Sequence, residues 1–292
     1  MRIVYAKNKT LEKHGLLVKI IRILSVPLLN SLPAELIQKL MKKTSSDAKT
    51  VVQHGGSTHA LEVMYTRYQR GLFSRGIFQG FADLFWHHCV SQPKALRNRL
   101  KIVEKIIQEE ISRKAQINTD KKILLLSVGS GSSRAMMHTL NNIPDKKLRN
   151  RTRVINIDKS QKAIDLGKQI VEYFNLQNNF KWLNDDARNI KEYIGRATID
   201  IAEMVGLLDY FSDEKGTEVI KQIYEALKDN GLIVIANVYP NREQPFVHKT
   251  GWPKMYYRRP EELNNLLEKA GFREITIIFE PLKCHIIATA RK

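Results

Sequence analysis

Two rhythms of apolar and polar positions divide the chain. From about residue 10 to 118 the apolar positions recur at helical spacing. Leu11, Leu16, Leu17, Ile20, Ile21 and Leu24 cover one side of a segment edged by Lys13, Lys19 and Arg22. Ser31-Leu-Pro-Ala-Glu-Leu predicts a second helix, with Ser31 as its cap and Pro33 in its first turn. Residues 44–58 read as a loop, Leu61–Tyr68 and Phe78–Val90 as aromatic-rich helices, and Lys94–Lys114 as a long helix entered near Pro93. After Asn118 short apolar runs replace this pattern. Ile123–Val128, Val154–Ile157, Phe180–Leu183, Ile199–Val205 and Leu232–Val238 each read as a strand, the last entered through a turn at Asp229-Asn-Gly231. Helices are expected over about 160–174, 214–228 and 260–270. Glu274–Phe279 and His285–Ala290 alternate as two late strands with little room for a helix between them, a hairpin at one edge. Strand and helix in turn, with apolar early strands, predict an α/β fold whose mainly parallel sheet is covered on both faces.

Composition sharpens the division. The 292 residues carry a net charge of +18, of which +12 falls in residues 1–118 and +6 in the rest. This places a helical cap or substrate region at 1–118 and an α/β domain at 119–292. The basic balance points to an acidic partner: nucleic acid, a membrane surface or an acidic substrate. A solvated basic face is the plainer alternative. Cys89 and Cys284 cannot build a disulfide framework and fit no zinc spacing, which predicts a reducing, cytoplasmic setting. The apolar stretch Gly15–Leu29 is interrupted by Lys19, Arg22 and Pro27, so neither a membrane span nor a signal peptide is expected. Leu11–Leu24 reads as a packed brace or lid. A peripheral membrane contact through this basic helix is the alternative.

The candidate chemistry lies at the carboxyl ends of the strands, where ligands bind in such sheets. Gly129-Ser130-Gly131 follows the first of these strands and opens a helix, allowing close backbone approach to a ligand. Asp158, followed by Lys159, ends the second, where a carboxylate accepts both hydroxyls of a ribose. Asp186-Ala187 ends the third, within reach of an adenine amino group, and Glu203-Met204-Val205 would floor the cavity. Any one of these acids alone reads equally as a helix cap or surface charge.

Residues 119–292 resemble the class I S-adenosylmethionine-dependent methyltransferases. The resemblance rests on Leu-Ser-Val-Gly-Ser-Gly (126–131), Val-Ile-Asn-Ile-Asp (154–158), Asn-Asp-Asp-Ala-Arg (184–188) and Leu-Lys-Asp-Asn-Gly-Leu-Ile-Val-Ile (227–235). It implies a Rossmann-like sheet of seven strands, the last antiparallel, and S-adenosylmethionine as cofactor. Ser133 stands where a third glycine often falls. A dinucleotide-binding nicotinamide enzyme is disfavoured by that missing glycine and by the late hairpin. Residues 203–211 and 251–263 also resemble a bacterial subgroup that forms 3-hydroxy fatty acid methyl esters, a carboxylate O-methylation. These stretches are also similar to peptide C-terminal carboxylate methyltransferases.

Negative features narrow the acceptor. Glu-Met-Val-Gly stands where amino-group methyltransferases of nucleobases carry an Asn/Asp-Pro-Pro-aromatic motif, and neither cysteine suits cytosine C5 chemistry. No acid or histidine cluster has metal-ligand spacing. A carboxylate on an acyl chain, small molecule or peptide is the expected acceptor, already ionised at neutral pH and needing orientation rather than a strong base. The candidates for that task are Tyr239, Arg242, Tyr257 and Arg258 after the fifth strand, and His54, His59, Tyr65 and Tyr68 from the N-terminal part. An RNA methyltransferase and a non-catalytic cofactor-binding module are the rival readings.

Overall fold

The structure, a computed structural model, describes residues 1–68, 73–74, 76–117 and 120–292. The boundary expected between 118 and 119 lies outside the described residues. The chain opens with strand β1 (Arg2–Tyr5). Six helices follow: α1 (Leu16–Ser31), α2 (Ala34–Thr44), α3 (Ser46–His54), α4 (Thr58–Thr66), α5 (Ile77–His88) and α6 (Ser91–Ile117). The α/β part alternates β2 (Ile123–Val128), α7 (Arg134–Asn141), α8 (Lys146–Arg151), β3 (Thr152–Asp158), α9 (Gln161–Tyr173), β4 (Phe180–Asn184), α10 (Ile190–Tyr193), β5 (Ile199–Val205), α11 (Asp213–Ala226) and β6 (Leu227–Val238). It closes with α12 (Gln244–Lys249), α13 (Pro260–Lys269), β7 (Arg273–Phe279) and β8 (His285–Arg291).

The strands form one sheet in the order β1-β7-β8-β6-β5-β2-β3-β4, with only β8 antiparallel to its neighbours. This is the expected mainly parallel Rossmann-like sheet with one strand more than seven. Arg2–Tyr5 adds itself parallel to β7, so the closing hairpin is not the edge of the sheet. Four residues leave too short a pattern to read as a strand. The apolar early strands are buried from both sides, as a parallel sheet requires. Leu125 and Leu126 of β2 have no exposed surface and point to opposite faces. Each such side chain contributes about 1.5–3 kcal/mol by leaving water. Ile190, Val219, Ile220, Ile223, Leu263 and Leu267 of α10, α11 and α13 fill one face. Ile102, Val103, Ile107 and Ile111 of α6, with Met136 and Met137 of α7, fill the other. A third core joins Ile37, Val51, Met64 and Trp86 of α2–α5 to Phe246 and Val247 of α12.

Several boundaries differ from the sequence reading for physical reasons. Residues 46–54 are helical, not a loop, because Ser45 caps α3 by accepting a bond from the Ala48 amide at 2.8 Å. Ser31 is the last residue of α1 and donates to the Leu28 carbonyl at 2.8 Å, so it does not cap α2. Helix α1 begins at Leu16, and Leu11 is buried apart from it. Most of the apolar side of α1 faces outward, with only Val26 buried and Leu29 packed on the third core, and the helix does not line the cleft described below. The expected turn at 229–231 is a bulge within β6, with Asn230 left-handed at φ 57°.

Candidate functional site

The order of strands reverses between β2 and β5, and a cleft of about 620 Å³ opens at their carboxyl ends. That volume suits a nucleotide-sized ligand. The glycine loop after β2 forms its floor. Gly129 and Gly131 hold φ of 63° and 54°, the region glycine adopts without strain. A Cβ on Gly129 would come within 2.7 Å of Leu207, and one on Gly131 within 3.0 Å of the Thr58 hydroxyl. Ser133 also stands left-handed at φ 55°, in the conformation glycine would take.

Asp158 is fastened to this loop. Its Oδ2 accepts from the Gly131 amide and its Oδ1 from the Ser160 amide, both at 2.8 Å. A carboxylate has about four acceptor positions, so two remain for a ligand's hydroxyls. Among the described residues, nothing bonds the buried Ser130 hydroxyl. Lys159, Asp186 and Ala187 line the same cleft, and Asp186 binds its own turn through Arg188, whose Nε donates to Oδ1 at 2.8 Å. Glu203 and Val205 line it from β5, whereas Met204 points into the core with no exposed surface. Burial pushes the Glu203 carboxyl up to about 7, although the Ser127 hydroxyl donates to it at 2.6 Å.

The N-terminal helices supply the opposite wall, through residues 55–58, Leu61, Glu62 and Tyr65. Glu62 ties α4 to the start of α7, accepting from the Ser132 hydroxyl at 2.8 Å and pairing with Arg134. Behind this wall lies a second, smaller cavity of about 50 Å³. Val51, Met64, Trp86, Leu96, Val238, Phe246 and Met255 make it apolar. It shares Gly56, Leu61, Arg99, Gly206 and Tyr210 with the cleft, so these residues, Arg99 among them, line both spaces. Arg99 is buried, donates to the Tyr65 hydroxyl at 3.2 Å, and among the described residues has no carboxylate within 4.0 Å. Its Nε has no partner. Neither do Trp86 Nε1, Gln92 Oε1 and both ring nitrogens of His285, all at the same cavity. Burial, then the charge of Arg99, hold His285 well below the usual histidine range, so its ring is neutral. Asp209 closes the end of the cavity, its Oδ1 accepting from the Val238 amide at 2.8 Å.

Of the eight residues expected to orient an acceptor, Tyr65 lines the cleft and accepts from Arg99, while the other seven lie outside its lining. Arg258 is buried and fully engaged, with Asp213, Asn237 and the carbonyls of Leu208 and Phe211. Tyr239 packs edge-on against Phe279 at 5.1 Å. Tyr257 packs in the core around the smaller cavity, its buried hydroxyl unpartnered. His59 is exposed and edge-on to His54 at 5.2 Å, and Tyr68 lies beneath the Arg97 guanidinium at 4.2 Å. Of the residues that do converge, Arg99 carried a usable signal and His285 did not. Arg99 falls three residues after Leu96 and four before Val103, a charge on an apolar stripe.

The family described as "Putative methyltransferase" matches residues 16–292. No curated protein is significantly similar in sequence. A solved structure described as a possible exported protein from Bordetella parapertussis shares 15% identity, with a TM-score of 0.60 over 89% of this chain and 97% of its own. The magnesium protoporphyrin IX methyltransferase of Synechocystis PCC 6803, solved with bound SAH, shares 14%, with a TM-score of 0.52 over 85% of this chain and 100% of its own. The CurJ carbon methyltransferase shares 15%, with a TM-score of 0.57 over 88% and 70%. These likenesses are of fold. Together with the match over residues 16–292, they establish that the chain belongs to the "Putative methyltransferase" family, with the fold of the class I S-adenosylmethionine-dependent enzymes.

Proposed function

We propose that the chain transfers the methyl group of S-adenosylmethionine to a carboxylate on an apolar acceptor. Asp158 would take the ribose hydroxyls, the Gly129–Gly131 loop the methionine portion, and Asp186 with Ala187 the adenine. The cofactor supplies an electrophilic methyl on a sulfonium. The protein's task is then to bring an ionised oxygen to it and to keep water out. Arg99 suits that task. It is a permanent charge with a planar array of donors, and a carboxylate is the group such an array binds best.

The observation that carries the reading is the Arg99 guanidinium, buried without a carboxylate partner among the described residues where it lines both the cleft and an apolar cavity. The charges of Asp209 and Glu203 act on Arg99 without forming an ion pair with it, which leaves its unpartnered Nε for an acceptor carboxylate. The neutral His285 and the Gln92 carbonyl offer further polar contacts in a space sized for the reacting end of an acceptor. The helices of residues 1–118 would serve as the substrate-binding part.

Incubation with methyl-labelled cofactor and separated lipid, peptide and RNA fractions tests this. Label should enter the lipid or peptide fraction and leave as volatile methanol after mild base, the behaviour of a methyl ester. Base-stable label in RNA would replace the proposal with a nucleic-acid methyltransferase. Cofactor binding with no transfer to any fraction would leave only a binding module.

A further inference from the structure

Helix α1 is built inside out. Leu16, Leu17, Ile20, Ile21, Ile23 and Leu24 are all exposed and spread over roughly 160° of its circumference, at about 100° per residue. Its inward side is the more polar one. Arg22 pairs there with the buried Glu243 carboxylate and donates to the Cys89 carbonyl at 2.6 Å, while Asn30 bonds the Arg242 carbonyl and the Phe246 amide. These bonds hold α1 against α12 and the end of α5. Its apolar arc is therefore presented outward by a fixed helix.

The neighbouring helices repeat the pattern. Leu36 and Leu40 are exposed one turn apart on α2, which packs against α5, and Ile77, Phe78, Phe81 and Leu84 are exposed on α5, Phe78 by 93%. Among the described residues, fourteen of the twenty-one exposed large apolar side chains fall between 16 and 84, far more than scattered surface positions would give. The surrounding charge is one-sided. Lys13, Lys19, Lys39, Lys42 and Lys43 are exposed, and between residues 13 and 49 the only acids are Glu35 and Asp47, the latter buried against His87. No helix of the described residues is long and apolar enough to cross a membrane. We infer that this surface rests on an anionic lipid bilayer, with the leucines, isoleucines and Phe78 entering the interface and the lysines meeting the headgroups.

Hydrophobic docking to another protein would not need a lysine rim almost free of acids; an anionic bilayer rewards it. Each basic residue near such a surface strengthens binding roughly fivefold. The inference stands apart from the identity of the acceptor. Sedimentation of the full chain with vesicles of phosphatidylcholine alone, or with one quarter phosphatidylglycerol, reads it directly. The anionic vesicles should bind the protein and the neutral ones hardly at all, with binding falling as salt rises. Lys42→Gln with Lys43→Gln should weaken binding about thirtyfold. Leu24→Glu should abolish it, while cofactor affinity stays unchanged in both variants. Failure of the wild type to bind anionic vesicles would overturn the inference. So would a wild-type dimer that Leu24→Glu separates, since a second copy would then be what covers the face.

Discussion

A carboxylate's role here follows from what already holds it. Asp158 lines the cleft and is held by the Gly131 and Ser160 amides, which leaves it two further acceptor positions. Asp158→Ala should weaken S-adenosylmethionine binding by about 1–3 kcal/mol, the worth of hydrogen bonds to a charged group; unchanged affinity in calorimetry would remove it from the ribose site. Glu203 makes a prediction of opposite character. Its ordinary value is 4.5 and burial raises it to about 7, so between these pH values the folded protein holds more protons than the unfolded chain. Stability from this residue is full below about 4.5 and falls as pH rises through about 7, by on the order of 3 kcal/mol. Glu203→Gln should therefore raise the melting temperature relative to wild type more at pH 8 than at pH 5, and an equal shift at both would show that the carboxyl is not desolvated. The glycines and the acids of the cleft were legible because each ends a strand and thus sits at the ligand face. Asp209 and His285 were not, since they come from the β5–α11 connection and β8 and meet Arg99 of α6 only once the sheet and helices pack.

Elements report their purpose through what links them. Helix α6 is fixed to the sheet by Glu110, which accepts two bonds from Arg291 of β8 at 2.8 Å and two from Arg113. Burial alone would raise this carboxyl, but the two arginines outweigh it and hold it at about 2. Its stabilisation is present above about pH 4.5 and is lost as pH falls through about 2. Glu110→Gln should cost about 1.5–3 kcal/mol at pH 7 in denaturant unfolding, with the difference from wild type shrinking in acid. A neutral variant as stable as wild type at pH 7 would mean that α6 is held by its apolar face alone. The strands of the α/β part were readable to within a few residues because both of their faces are apolar. The N-terminal elements were less so. Strand β1 has four residues, α3 was hidden by a polar Ser-Ser-Asp start, and α1 looked like a packed helix because outward and inward apolar arcs leave the same periodicity.

For the molecule as a whole, the sheet order and the family describe a methyltransferase, and the carboxylate acceptor proposed above rests on Arg99, which lines both cavities. The fold class was open to the sequence because it depends on local alternation repeated along the chain. The smaller apolar cavity was closed to it, being assembled from α3–α6, the β5–α11 connection, α12 and the ends of β6 and β8. The most direct measurement is steady-state transfer by Arg99→Gln, at saturating cofactor, to a carboxylic acid that the wild type methylates. The account predicts a fall of about 10–150-fold in kcat/KM, the loss of about 1.4–3 kcal/mol of carboxylate recognition, with cofactor affinity changed by less than about threefold and partial recovery in Arg99→Lys. Unaltered kcat/KM in a folded Arg99→Gln enzyme would contradict it.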